Sequence, residues 1–424
     1  MVNNLLSVWG TIGSVLLAIL LLLVMITVHE FGHYLAGKIL RFKINEFSIG
    51  FGPALFKHRS KKSGELFAIR LIPLGGYCAF EGEDGLDEEE EKEGKPDEAN
   101  GTEQKAEPKE IPAQTVQPGK SEKGKEEKTE KTQGGAFCEM KPWKRIIVLV
   151  AGAFMNYILA LLLIIIGFFA YGQTTIAVWK AEEATEEFQA EYCLRDKDIL
   201  LEAEGRGLYL TTDIAKALNG KKKGDIVELT VSRVVGKENE GTEKEKNVRE
   251  VTDVKIMLRS DVTVKNSNDL KSVWRGLGVA EEEGVDQLAT AYYNGYGFFA
   301  TLGHSFVYSF KIAGSIFKVL GELLTGKLGI SALGGPITTI SMTSQIASRG
   351  FRSFLEIAGF IGVNLAVFNL LPIPALDGSK VVFTVIEWVR GKPISRKVEA
   401  IIHAVGFVLL LGFAVLVDLL QFIL

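Results

Sequence analysis

The residues best suited to chemistry gather in one short stretch, TVHEFGHYLAG at residues 27–37, where His29, Glu30 and His33 fall within five positions. On a helix, positions i and i+4 share a face, so His29 and His33 can offer ring nitrogens to one ion while Glu30 stands beside it. This is HExxH spacing. Zinc held by three protein ligands keeps a fourth position for water and lowers that water's pKa to ~7; an adjacent glutamate can take its proton and pass it to a leaving amine. The same spacing also arises by chance, as two helix-surface histidines beside a glutamate. The setting argues against chance, because the stretch continues directly from SVLLAILLLLVMI. An ionisable group inside a membrane span costs on the order of 2.5–3.5 kcal/mol and reads by default as functional.

Such a site needs a third protein ligand. The best candidate is Asp377 in NLLPIPALDG, residues 369–378. Pro372 and Pro374 forbid a continuous helix there, and Asp377 followed by Gly378 can turn the chain back toward a neighbouring helix. Asp377 has an alternative use as the N-cap of the next segment, SKVVFTVIEWV. Beside a two-histidine site at the same membrane depth, ligation is the preferred reading.

The elements that must position these residues follow from the apolar blocks. Of 424 residues 47% are hydrophobic, and they are grouped into long runs, which favours a multi-span membrane protein over one soluble core. Four segments reach the ~20 apolar residues a span requires, roughly 8–37, 146–170, 353–371 and 401–422. The first has no positive n-region and exceeds the ~7–15 residues of a signal-peptide apolar region, so it is expected to be retained. Lys38, Arg41, Lys43, Lys57, Arg59, Lys61 and Lys62 follow span one, and Lys141, Lys144 and Arg145 abut span two, which makes that loop cytoplasmic. Lys380, Arg390, Lys392, Arg396 and Lys397 put the loop between spans three and four on the same side, leaving both termini and the long 172–350 region outside.

The connecting regions differ in character, and the chain divides into 1–81, 82–134, 135–175, 176–260, 261–350 and 351–424. Short β-favouring runs broken by Gly and Pro at 47–77 predict strands and turns near the membrane. Residues 82–134 are rich in Glu and Lys with almost no large apolar side chain, the composition of a disordered cytoplasmic insert. The alternating DIVELTVSRVV and the helical TTDIAKALNG within 176–260 predict a small β-rich domain. Residues 298–328 carry His304, Lys311, Lys318 and Glu322 in an apolar stretch, an amphipathic helix at the outer interface rather than a fifth span. His403 and Asp418 in the last span stand isolated, as interfacial residues would. A net charge of −4 without a basic, aromatic-interleaved patch gives no sign of nucleic-acid binding, and Cys78, Cys138 and Cys193 form no CxxC.

Taken together, HEFGHY, FSIGFG, IPLGGY, GED, MNYILA and NLLPIPALDG, in that order, resemble the bacterial site-2 protease family, the regulator-of-sigma-E protease type of intramembrane zinc metalloprotease. The resemblance covers most of the chain outside the insert. It implies four transmembrane helices, a membrane-reentrant β-hairpin and an extracytoplasmic PDZ-like domain. It also implies that His29, His33 and Asp377 hold zinc, that Glu30 is the catalytic glutamate, and that Asn364 and Asn369 handle substrate. Interhelical hydrogen bonding is an equally good use for the two asparagines. Three departures stand out. Ser379 and Lys380 follow the LDG where Gly and then His or Arg are usual. AGAFMN places Ala153 where the family's AGPxxN has proline. The usual Gly-Leu-x-x-Gly-Asp turn appears as Cys193-Leu194-Arg195-Asp196-Lys197-Asp198.

The expected protein is therefore an α-helical polytopic protein of the bacterial inner membrane. Its expected activity is zinc-dependent cleavage within the transmembrane segment of a single-pass membrane protein, such as an anti-sigma factor or a remnant signal peptide. The rival readings are a catalytically idle membrane chaperone and a zinc transporter. Transport needs ionisable residues at several bilayer depths, whereas here they sit at the cytoplasmic ends of spans one and three.

Overall fold

A computed structural model describes residues 2–83, 134–238, 246–266, 269–279, 288–330 and 333–423. The charged insert expected at 82–134 lies, except at its two ends, outside the described residues. The apolar blocks become helix α1 (Val2–Leu40), α2 (Pro142–Tyr171) and α7 (Phe351–Asn369), and the last block becomes α9 (Arg396–Ile423). Among the described residues, four helical stretches are long and apolar enough to cross a membrane: Ile12–Leu40, Pro142–Tyr171, Phe351–Asn369 and Arg396–Gln421. The protein is a polytopic membrane protein that also carries β structure.

Helix α2 is the central post, packed on α1 at one side and on α7 at the other. It opens on Pro142, whose fixed φ suits a first turn and whose missing N–H costs nothing there, and it closes at Gly172 with φ +88°. Leu21 and Met25 of α1 meet Ala358 of α7 across Leu159 and Leu163 of α2. Small residues let these backbones approach, as membrane helices require when no hydrophobic drive separates protein from lipid.

After α1 the chain forms β1 (Ile44–Arg59) and β2 (Leu66–Phe80), an antiparallel pair longer than the hairpin expected at 47–77. The same β1 residues, Glu46–Ile49, lie opposite both Gly76–Ala79 and Leu66–Ile69 of β2, so the two long strands curl over one another. Arg70 fastens the curl, donating to Glu46 Oε1 at 2.6 Å, the Tyr77 hydroxyl at 2.7 Å and Ser48 Oγ at 2.8 Å. Beneath it Phe42, Ile44 and Phe80 pack with Phe137, Val148 and Leu149, which ties the curl to the start of α2.

A separate β domain begins immediately after α2. Its strands are β3 (Gln173–Val178), β4 (Ile199–Ala203), β5 (Arg206–Gly207), β6 (Ile226–Glu238), β7 (Lys246–Met257) and β8 (Leu288–Tyr293). They are ordered β7-β6-β4-β3-β8, with β5 on β4. The sheet thus takes its outer strand from beyond residue 260, where the sequence ends the domain. Helices α3 (Thr211–Leu218) and α4 (Lys271–Gly276) cover a core of Leu200, Ile214, Leu218, Leu229, Ile256 and Leu258.

Helix α5 (Phe298–Leu324) buries Ile312 and Ile316 against Ile164 and Phe168 of α2 and Val363 and Val367 of α7, while Phe298, Phe299, Phe310 and Phe317 face outward. It is amphipathic and is not among the four stretches apolar enough to span. Helix α6 (Pro336–Ala347) is capped from the last span, with the Ile337 and Thr338 N–H groups donating to the Asp418 carboxylate at 2.9 and 3.1 Å. Asp418 is therefore a buried cap rather than an isolated interfacial residue. Helix α8 (Asp377–Arg390) joins the last two apolar helices.

Candidate active site

The one-face logic of α1 operates as its spacing predicts. His29 and His33 are both buried and their Nε2 atoms lie 3.2 Å apart. Asp377 comes in from the far end of the chain, its Oδ2 2.9 Å from His29 Nε2 and 3.3 Å from His33 Nε2. Ligands on a tetrahedral zinc with bonds of ~2.0–2.1 Å stand ~3.3 Å from one another, so these three atoms already have the spacing the ion needs. Two imidazoles and a carboxylate are also a donor set that zinc accepts. Among the described residues this is the one group of three His, Cys, Asp or Glu side chains able to hold a metal.

The prolines explain how Asp377 arrives. Helix α7 stops at Asn369, Pro372 and Pro374 keep the chain out of helix, and Ala375 takes a left-handed φ of +78°. Leu376 occupies the N-cap of α8 and Asp377 its first helical position, so the carboxylate faces the histidines instead of capping its own helix. The Ala375 N–H donates to His403 Nδ1 at 3.1 Å, and Gly406 of α9 lies against Pro374. His403, expected to stand alone at the interface, supports the loop that presents Asp377.

Glu30 is half-buried one residue beyond His29. Strand β2 passes beside it: a Cβ added at Gly76 would stand 3.3 Å from Glu30 Cγ and 2.8 Å from the Ser48 carbonyl oxygen. Only glycine lets the strand run so close.

Helix α2 contributes what the sequence did not announce. The His33 Nδ1–H donates to the Val148 carbonyl at 2.8 Å, which leaves Nε2 with its lone pair for a metal. A Cβ at Gly152 would lie 2.3 Å from His33 Nε2 and 2.9 Å from His29 Cε1, so the bare backbone is what admits both rings. One turn further, Asn156 Nδ2 stands 3.4 Å from His29 Nδ1. AGAFMN was visible as a pattern; the only signal of its use was four-residue spacing along one face from Val148 through Gly152 to Asn156.

The remaining site candidates lie on α7. Asn364 donates to the Phe360 carbonyl of its own helix at 2.9 Å, and Asn369 is the last residue of α7, where the chain leaves for Asp377. The departures from family pattern have structural uses. The Ser379 hydroxyl donates to the Leu376 carbonyl at 2.7 Å, Lys380 pairs with Glu83 at 2.7 Å, and Ala153 is fully buried in an unbroken α2.

A two-histidine, one-carboxylate cluster among helices of membrane-spanning length defines a class, the polytopic membrane metallopeptidases. Comparison with known proteins narrows it. The model of peptidase family M50 matches residues 17–413. A protein of Agrobacterium fabrum named as a zinc metalloprotease is 27% identical over 422 residues, covering 97% of each chain. The regulator of sigma-W protease RasP of Bacillus subtilis is 28% identical over 441 residues, covering 94% of this chain and 96% of its own. A Clostridium perfringens protein also named as a zinc metalloprotease is 27% identical over 414 residues. The chain belongs to peptidase family M50, the site-2 protease family, and is a zinc metalloprotease.

Proposed function

We propose that the protein cleaves a peptide bond inside the transmembrane segment of a single-pass membrane protein, close to the cytoplasmic face. The observation that carries this reading is the meeting of His29, His33 and Asp377, two from α1 and one from the Pro-broken end of α7, with Glu30 on the same turn as the histidines. His29, His33 and Asp377 hold the zinc, which when bound supplies a Lewis acid that acidifies water and polarises a carbonyl. Glu30 takes the proton from the attacking water and delivers it to the leaving amine, first base and then acid. Asn364 and Asn369 are assigned to substrate handling.

A transmembrane helix satisfies its own peptide groups, so a protease must first hold its substrate extended. The curled sheet beside Glu30 offers that hold, because a segment added to it as an extra strand pairs through main-chain atoms and tolerates many sequences. The reading places this sheet in the membrane, the β domain outside as a PDZ-like module, and both termini extracytoplasmic in a bacterial inner membrane, following the Lys and Arg asymmetry. One relative is named as a regulator of sigma-W protease. An anti-sigma factor or a remnant signal peptide is the substrate class proposed here.

The test compares the purified protein with Glu30→Gln in detergent on a panel of transmembrane peptides. The wild type is expected to cleave within the apolar segment, and Glu30→Gln to keep its zinc and lose cleavage. Equal cleavage by both forms would remove Glu30 from the chemistry and end this reading.

A further inference from the structure

We propose that Asn156 is a positioning residue that fixes the tautomer of His29, presenting its side-chain oxygen to the His29 Nδ1–H when Nε2 is given to the metal. This rests on the assignment of His29 as a zinc ligand made above. Both imidazoles turn Nδ1 toward the same face of α2, where Val148, Gly152 and Asn156 recur every four residues. His33 has its acceptor there, the Val148 carbonyl at 2.8 Å. His29 has Asn156, whose amide is 3.4 Å from Nδ1 and wholly buried.

An imidazole that donates its Nε2 lone pair to a metal carries its hydrogen on Nδ1, and that N–H needs an acceptor in a buried site. With the amide nitrogen toward His29, Asn156 Oδ1 is buried and has no hydrogen-bond partner among the described residues. A half turn about the last side-chain torsion exchanges Oδ1 for Nδ2, since the two ends of the amide have the same shape. The turn gives the stranded oxygen the ring N–H, and the ring the acceptor that ligation demands. The contrary tautomer, in which Nε2–H donates to Asp377 Oδ2 at 2.9 Å, is served by the NH2 end of the same amide. Asparagine therefore follows His29 through either state without adding charge beside the ligands, whereas a leucine of similar size can serve neither.

The test measures zinc affinity of the full-length protein in detergent by competition with a chromophoric chelator, for wild type, Asn156→Leu and Asn156→Asp. Helix content and thermal unfolding of the metal-stripped forms report whether each variant folds. Loss of an outer partner to a metal-bound histidine costs ~10–100-fold in metal affinity, so Asn156→Leu should weaken binding by about that factor. Asn156→Asp keeps the acceptor in the same shape and should bind at least as tightly as wild type. A purely structural asparagine would not be rescued in this way. Unchanged affinity in a folded Asn156→Leu, with or without loss of turnover, would overturn the proposal. So would an Asn156→Asp affinity ten-fold below wild type. A wild type that binds no zinc would instead overturn the ligand assignment itself, and this proposal with it.

Discussion

Asp198 in the β domain and Asp377 at the head of α8 share a local design and differ in what meets the carboxylate. Each stands at the start of a regular element, and each is approached through a non-glycine residue with positive φ, Lys197 at +66° and Ala375 at +78°. Asp198 is fully buried and its oxygens are filled by protein donors: Arg233 Nη2 at 2.7 Å, Arg233 Nε at 2.9 Å and the Arg195 N–H at 2.9 Å. Asp377 faces two imidazole nitrogens, each able to hold the same metal ion. A buried carboxylate that brings its own guanidinium is a brace. One that shares its space with two other metal donors has the arrangement of a ligand. The brace also accounts for the irregular turn at 193–198, where Asp198 organises the Arg195 N–H and Lys197 takes the left-handed position that the family pattern gives to glycine.

The contrast is broken hardest by removing the brace. Arg233→Met leaves Asp198 buried without its counter-charge and should destabilise the β domain by ~3–5 kcal/mol, read from denaturant unfolding followed at Trp274, with zinc content unchanged. A parallel loss of zinc would show that the two regions do not stand independently. The reverse dissociation is expected of Gly152→Ala. Its methyl group meets the His33 ring, and overpacking of ~1–3 kcal/mol should appear as weaker zinc binding in a titration while β-domain unfolding is unaffected. The smallest expected effect sharpens the likeness of the two turns. Lys197→Gly relieves a left-handed side chain and should raise the β-domain unfolding midpoint by an amount worth about 1 kcal/mol. A lowered midpoint would mean that the turn does not strain Lys197.

His29, Glu30 and His33 were legible because a four-residue spacing has one consequence on a helix. Asp377 was legible because two prolines within three residues leave a chain few courses. Their support was not. Val148 acts through a backbone carbonyl, which every residue possesses, and Gly152 acts through the absence of a side chain. Neither carries a mark until the crossing of α1 and α2 is known. Arg233 and Asp198 meet across 35 residues, and Asp418 reaches back about 80 to cap α6, distances at which periodicity has no memory. Short β-favouring runs named the strand stretches near 47–77 but gave no hint that Glu46–Ile49 would face two stretches of β2, because one strand pattern serves either one partner or two.

The claim that Asp377 is a ligand is tested most directly by metal analysis of purified Asp377→Asn beside wild type. The exchange keeps shape and removes the charge and basicity that zinc requires of an oxygen ligand. The account predicts about one zinc per wild-type chain and loss of most of it in Asp377→Asn, with helix content and Arg233-dependent β-domain stability unchanged. Full zinc occupancy in a folded Asp377→Asn would contradict it.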